Sequence, residues 1–150
     1  MDRHIVRTSR RSLLRNSIVA SGLVGFSGCS KLGDEEFTNE VEIKKIWLFN
    51  IDSNNTRTIS VKLLDGNEVL LNERYNIEPK EGDVAGEENI KQQLPDSPGQ
   101  FSIVAWLESH PENKGRVNIY EVTEAGCVSV NISISDDRDY PAIFVHDDCN

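Results

Sequence analysis

The chain has 150 residues, of which 37% are hydrophobic, and a formal net charge of −9 at pH 7. This length suits one domain with a sizeable core. The acidic balance argues against nucleic acid as a partner, because a negative surface repels phosphate.

The first predicted element is an export signal over residues 1–28. It has a basic start with the pair Arg10-Arg11, then a weakly apolar run over residues 17–26, then the small-residue junction before Cys29. The run is too short to span a bilayer, which needs about 20 apolar residues. Together these features resemble a twin-arginine signal that ends in a lipobox. The alternatives are a basic amphipathic helix of a cytoplasmic protein, or cleavage without lipidation.

The resemblance implies that the protein is exported folded, cut before Cys29 and held to the extracytoplasmic face of the membrane by lipid on that sulfur. Export also changes the charge of the mature chain. The signal takes five of the 16 basic residues and one of the 25 acidic residues, which leaves a net charge of −13. Residues 29–40 then form a short polar tether.

From residue 41 the hydrophobic pattern has a period of two, which predicts strands. The first predicted strand directs five apolar side chains to the core and has Lys45 as its exception: Val41, Ile43, Trp47, Phe49 and Ile51. The next two strands carry Ile59, Val61 and Leu63, then Val69 and Leu71. A three-residue loop, Asp65 to Asn67, places both sets on one face.

Residues 77–99 break this pattern with three prolines, three glycines and many acids. We expect a long loop here, with one or two helical turns within residues 84–94. Strands resume over residues 101–107, 117–122, 128–134 and 143–145. About seven short strands predict an all-β fold, a two-sheet immunoglobulin-like sandwich over residues 41–150.

The cysteines fit this interpretation. If Cys29 carries lipid, Cys127 and Cys149 remain as an even pair, which predicts a disulfide in an oxidising compartment. Two free thiols that act as metal ligands are the alternative.

Several segments resemble short haloarchaeal lipoproteins with one β-sandwich module. They are Trp-Leu-Phe-Asn-Ile-Asp at residues 47–52, the strand at 58–66, Ser-Pro-Gly-Gln-Phe at 97–101 and the paired C-terminal cysteines. The acid-rich surface is similar to those of halophile proteins. This resemblance implies a location and a fold, and it brings no activity.

No catalytic signature is visible. His110 and His146 lie near predicted turns, and neither belongs to a nucleophile motif. With Cys127 they are the residue types of a copper site, but a second cysteine competes as the partner of Cys127 and no methionine remains after cleavage. We therefore expect no cofactor and no enzymatic activity.

Acidic side chains form the best metal-site candidates, because calcium prefers six to eight oxygen ligands. They flank the last strand in two runs that are expected to meet at one end of the sandwich: Asp136, Asp137 and Asp139, then Asp147 and Asp148. Solvated acidic turns are the favoured interpretation of both runs, and a cation site is the alternative.

Three further residues are candidates for surface roles. Asn54 and Asn131 begin glycosylation sequons, and Trp106 alternates away from its apolar neighbours and is a candidate binding platform. For Trp106, packing over the second sheet or under the long loop is the favoured interpretation, and the platform is the alternative.

The sequence thus predicts a non-catalytic surface protein, anchored to the membrane through Cys29, that binds an envelope protein or glycan. A divalent-metal or small-ligand module and an extracytoplasmic hydrolase are the alternatives.

Overall fold

The computed structural model describes residues 39–91 and 93–149. The predicted signal with Arg10 and Arg11, the lipidation site Cys29 and nearly all of the tether therefore lie outside the described residues. Within the described ranges, no helix has the length and apolar character needed to cross a bilayer.

The described residues form eight strands and one short helix. These are β1 (Glu42–Asn50), β2 (Arg57–Asp65), β3 (Glu68–Ile77), β4 (Gly86–Ile90), β5 (Phe101–Leu107), β6 (Lys114–Asn118), α1 (Ile119–Val122), β7 (Cys127–Ile134) and β8 (Ala142–Asp147).

The strands make two four-stranded sheets. The first sheet has the order β4-β1-β7-β8, and the second has the order β3-β2-β5-β6. Strands β1 and β7 run parallel, whereas every other pair within the two sheets is antiparallel. The predicted all-β, two-sheet sandwich is confirmed, with one strand more than expected.

The core lies between the sheets and is built by alternation along each strand. In β7 the four apolar side chains are fully buried, as their unbroken period of two predicts: Val128, Val130, Ile132 and Ile134. They pack with Ile46 and Leu48 of β1 and with Ile59, Val61 and Leu63 of β2. Each fully buried aliphatic side chain stabilises the fold by about 1.5–3 kcal/mol.

The predicted faces of β1 are wrong beyond Ile43. The pairing with β7 shifts between Ile43 and Lys45, so Lys44 is an extra residue, a β-bulge. An extra residue moves all later side chains to the opposite face. Ile46 and Leu48 therefore point into the core, whereas Trp47 and Phe49 point outward. Ile51, also predicted to be buried, is 47% exposed.

The predicted three-residue loop between β2 and β3 is wrong, because the hairpin has a shorter loop and a second bulge. The loop is two residues, Gly66 and Asn67, with Gly66 at φ 55°. The pairing shifts between Leu63 and Leu64, which inserts an extra residue in β3. This bulge returns Leu71 to the core face but leaves Val69 49% exposed.

Two local predictions are also wrong. Residues 84–91 and 93–94, the described part of the predicted helical segment, form no helix; instead, β4 pairs antiparallel with the edge of β1 and buries Ile90. The segment Gly-Glu-Glu-Asn-Ile has little intrinsic strand preference, so tertiary pairing decides its structure. Residues 117–122, predicted as a strand, leave β6 after Asn118 and turn into α1, which buries Ile119.

Candidate functional site

The outward side of the first sheet carries three aromatic rings, which we call the aromatic face: Trp47, Phe49 and Phe144. Trp47 and Phe49 stack two residues apart on β1, with ring centroids 5.9 Å apart and planes inclined by 18°. Phe144 on β8 is 49% exposed. The bulge at Lys44 creates this face, because unbroken alternation would have buried both β1 rings.

Polar side chains lie between and beside these rings. Asn131 of β7 is the cross-strand neighbour of both Trp47 and Phe144, and Ser133 is the neighbour of Phe49. A shallow depression of about 340 Å³ lies beside the rings and includes Lys45, Asn131 and His146 in its lining. The arrangement is a group of aromatic rings with hydrogen-bonding groups between and beside them.

One corner of the depression is a small charged cluster. Asp148 accepts a hydrogen bond from the Ser129 hydroxyl and lies 3.1 Å from the Lys45 ammonium. These two contacts, in that order, lower the pKa of Asp148 below its ordinary value. The carboxylate is therefore ionised at neutral pH and keeps this corner fixed.

The two acidic runs do not meet. Strand β8 is antiparallel to β7, with Val128 opposite Asp147 and Ser133 opposite Ala142. The Asp136–Asp139 run therefore lies beyond the end of β7, whereas Asp147 and Asp148 lie beside its start. No group of three or more His, Cys, Asp or Glu side chains in the described part of the chain is arranged to hold a metal ion. The expectation that the runs converge is wrong, because the hairpin separates them by its full length.

Among the described residues, neither His110 nor His146 is hydrogen-bonded to both a serine and a carboxylate. Nδ1 of His110 lies 3.0 Å from the hydroxyl of the adjacent Ser109, and its Nε2 lies 3.7 Å from an Asp139 carboxylate oxygen, beyond hydrogen-bond range. His146 is exposed on β8, and the hydroxyl of its cross-strand neighbour Ser129 is directed to Asp148 instead.

The predicted pairing of the cysteines is present. Cys127 and Cys149 form a disulfide that closes a segment of 22 residues. It joins the start of β7 to the residues after β8. The bond also removes Cys127 as a metal or copper ligand.

The two sequons occupy different environments. Asn54 is exposed in the loop between β1 and β2. Asn131 lies in the middle of β7, paired on both sides and half-buried between the rings of the aromatic face. Asn54 is the better placed of the two for a glycan, and its modification remains a prediction.

Trp106 lies on the outward side of the second sheet, half-buried, with the Lys114 ammonium 4.9 Å from its ring centroid. It is therefore not part of the core between the sheets. Its candidate role as a surface platform remains a prediction.

A buried carboxylate that the sequence did not indicate organises the loop after β1. Asp52 is fully buried, accepts hydrogen bonds from the backbone amides of Asn54 and Asn55, and lies 2.7 Å from the Arg57 guanidinium. The Asn54 amide is the largest cause of the lowered pKa of Asp52, and Arg57 adds to it. The cluster is fully paired and has a structural role.

The aromatic face was also missed, although the sequence held a sign of it. Lys45 interrupts the alternation of β1 at the point where the bulge occurs, and a lysine at a core position indicates a change of face.

Comparisons with known proteins give only distant likenesses. No protein-family model matches the chain, and no curated protein matches it. The T6SS lipoprotein TssJ1 from Pseudomonas aeruginosa is similar at 11% identity and a TM-score of 0.45, over 73% of this chain and 98% of that one. A protein from Eubacterium rectale is similar at 10% identity and a TM-score of 0.39, over 78% and 98%. The membrane-binding domain of pneumolysin gives 8% identity and a TM-score of 0.27, over 69% and 97%. At these scores we take no function from the three structures.

Proposed function

We propose that the protein is a non-catalytic binding module, anchored by lipid at Cys29 on the extracytoplasmic face of the membrane, whose aromatic face docks a protein of the envelope. The observation that carries the proposal is the aromatic face. Its three rings lie on one side of a single sheet, and Phe144 is 49% exposed. Aromatic side chains are enriched in the centres of protein interfaces and dominate their binding energy.

The surroundings of the rings support a protein as the partner. Interfaces combine an apolar centre with a polar margin that forms hydrogen bonds. His146 lies beside the rings, and Asn131 and Ser133 offer hydrogen-bonding groups between the β1 rings and β8. The rings lie on paired strands rather than on loops, so little conformational entropy is lost when they bind.

The metal-module and hydrolase alternatives receive no such support. The acidic runs lie at opposite ends of the β7–β8 hairpin. The hydroxyl of Ser129, which is beside His146, donates a hydrogen bond to Asp148. We therefore propose only the binding role.

Site-specific photocrosslinking in native membranes tests the docking. A photoreactive amino acid at position 144 is expected to give one adduct of defined mass, and the same group at Asn76, which is exposed on β3 of the second sheet, is expected to give none. Trp47→Asp should abolish the adduct, since it places a charge in the centre of the face. An adduct that survives Trp47→Asp, or that forms equally from position 76, contradicts the proposal.

Intact mass of the protein extracted from membranes tests the anchor separately. We expect residues 29–150 plus lipid, and release of Cys29→Ala into the soluble fraction. The pair Arg10→Lys and Arg11→Lys should leave the precursor unexported. A mass equal to the whole chain, with no lipid, would refute the anchor without deciding whether the aromatic face binds.

A further inference from the structure

The second sheet presents a cluster of positive charge that is unusual for this chain. Six of the 16 Lys and Arg residues and four of the 25 acids precede Asn39, so the described part has ten basic and 21 acidic side chains. Four of the ten basic residues lie on the outward side of this one sheet, in two adjacent rows. We call this group the basic strip: Lys62, Arg74, Lys114 and Arg116.

Cross-strand pairing fixes the arrangement. One row runs Arg74, Ser60, Trp106 and Lys114, and the next runs Asn72, Lys62, Val104 and Arg116. The first row crosses three strand spacings, about 14 Å, and the rows are two residues apart, about 7 Å. The strip is therefore long, narrow and perpendicular to the strands, with the half-buried Trp106 in it.

Most of this charge is not neutralised by neighbours. Arg74 lies 3.1 Å from a carboxylate oxygen of Glu108, which also accepts a hydrogen bond from Ser60. Within residues 39–91 and 93–149, Lys62, Lys114 and Arg116 form no ion pair. Three cations without a carboxylate partner, one of them resting on the Trp106 ring, lie on one face of an otherwise acidic domain and complement an anionic partner.

We propose that the basic strip binds a linear acidic polysaccharide, a chain of sugar rings that each carry one carboxylate. Its carboxylates would pair with Lys62, Lys114 and Arg116, and the Trp106 ring beneath the Lys114 ammonium would hold that charge in position. This binding is independent of the aromatic face, which lies on the other sheet.

The geometry favours this partner over other anions. A peptide that adds a strand pairs through its backbone along one sheet edge, whereas the strip runs across all four strands and presents side chains. Double-stranded nucleic acid carries one charge per about 1.7 Å of its axis, a higher density than one carboxylate on each sugar ring, so an acidic domain repels it more strongly.

The position of the strip also argues against a membrane surface. Val41, just before β1, forms two backbone hydrogen bonds with Gly99, which lies just before β5. Trp106 lies five residues beyond Phe101 on β5, about 17 Å further along the sandwich. If the protein is anchored as proposed above, the strip lies toward the end of the sandwich that is farther from the membrane.

Binding of fluorescent oligo-alginate to the mature protein tests the proposal, at about 0.1 M salt, where charges interact over roughly 10 Å. We expect saturable binding that weakens as salt is raised. The double variant Lys62→Gln/Arg116→Gln should bind about tenfold more weakly, since each exposed ion pair contributes a few-fold.

Matched controls separate the strip from net charge. Lys44→Gln/Lys91→Gln removes the same charge from other exposed positions and should change binding by less than about twofold. Trp47→Ala, in the aromatic face, should bind oligo-alginate like the wild type, so failure of one proposed site is distinguishable from failure of the other.

Three results would overturn the inference. The first is no binding of oligo-alginate by the folded wild-type protein. The second is an equal loss in the two double variants. The third is equal or tighter binding of poly-glutamate, single-stranded DNA or vesicles of anionic lipid, which would assign the strip to a different class of partner. Unfolding curves of each variant establish that it is folded.

Discussion

Deletion of Lys44 tests whether the bulge sets the two faces of β1. Without this residue the strand alternates without interruption, so either its first part or its second part must turn over. Turning the first part moves Val41 and Ile43, 1% and 3% exposed, out of the core. Turning the second part moves Ile46 and Leu48 out, both 0% exposed, and places Trp47 between the sheets.

Turning the first part costs less free energy than turning the second, because the first part is shorter and lies at the start of the strand. At about 1.5–3 kcal/mol for each aliphatic side chain, exposure of Val41 and Ile43 costs about 3–6 kcal/mol. This is a large fraction of the 5–15 kcal/mol that typically separates folded from unfolded domains. The deletion should therefore shift the urea midpoint strongly toward lower denaturant.

Urea unfolding followed by circular dichroism measures this loss. The control is Lys44→Ala, which keeps the bulge and removes only an exposed ion pair with Glu42 at 2.7 Å; it should cost less than about 1 kcal/mol. Acrylamide quenching of Trp47, in a Trp106→Phe background, shows which part has turned. A deletion variant with wild-type stability would refute the reasoning, because the faces would then be set by something other than the extra residue.

Three further predictions concern the disulfide and the carboxylates. Cys127→Ser/Cys149→Ser should lower the free energy of unfolding by about 3 kcal/mol in denaturant titrations, the value for a closed segment of this length, and reductant should destabilise only the wild type. Folding lowers the pKa values of Asp52 and Asp148, so the stability that comes from their ionised forms is present above about pH 4. This stability is lost as the pH falls through the lowered pKa values. The melting temperature should therefore fall steeply below about pH 4, and less steeply in Asp52→Asn. Because the acidic runs are separated, calcium should raise the melting temperature no more than magnesium does at equal ionic strength, and a selective, saturable rise would contradict their separation.

Regular strands were predictable because their pattern is a direct consequence of the pleat. In β7, Val128 to Ile134 alternate without interruption, and the four apolar residues are buried as predicted. The disulfide was predictable from the number of cysteines, since Cys127 and Cys149 are the pair that remains after Cys29 is set aside. Both inferences need no knowledge of tertiary pairing.

The errors have one physical origin, which is that the neighbouring strand decides the local structure. Lys44 is an extra residue only relative to β7, and the extra residue in β3 is extra only relative to β2. Likewise Gly86–Ile90 becomes a strand because the edge of β1 is available to it. The aromatic face depends on the first of these effects, so Trp47 and Phe49 were assigned to the core. The basic strip depends on cross-strand rows, which a linear sequence does not show.

The position of β1 has a mechanical consequence. It is paired with parallel β7 from Glu42 to Asn50 on one side, and with antiparallel β4 from Ile46 to Asn50 on the other. A pull on the chain before Val41 acts along this strand and loads the hydrogen bonds of both ladders in shear. They must then break together rather than one after another from the end. A domain held in this way resists forced extraction of its first strand, and a load applied at its N-terminal end is shared by the centre of the first sheet.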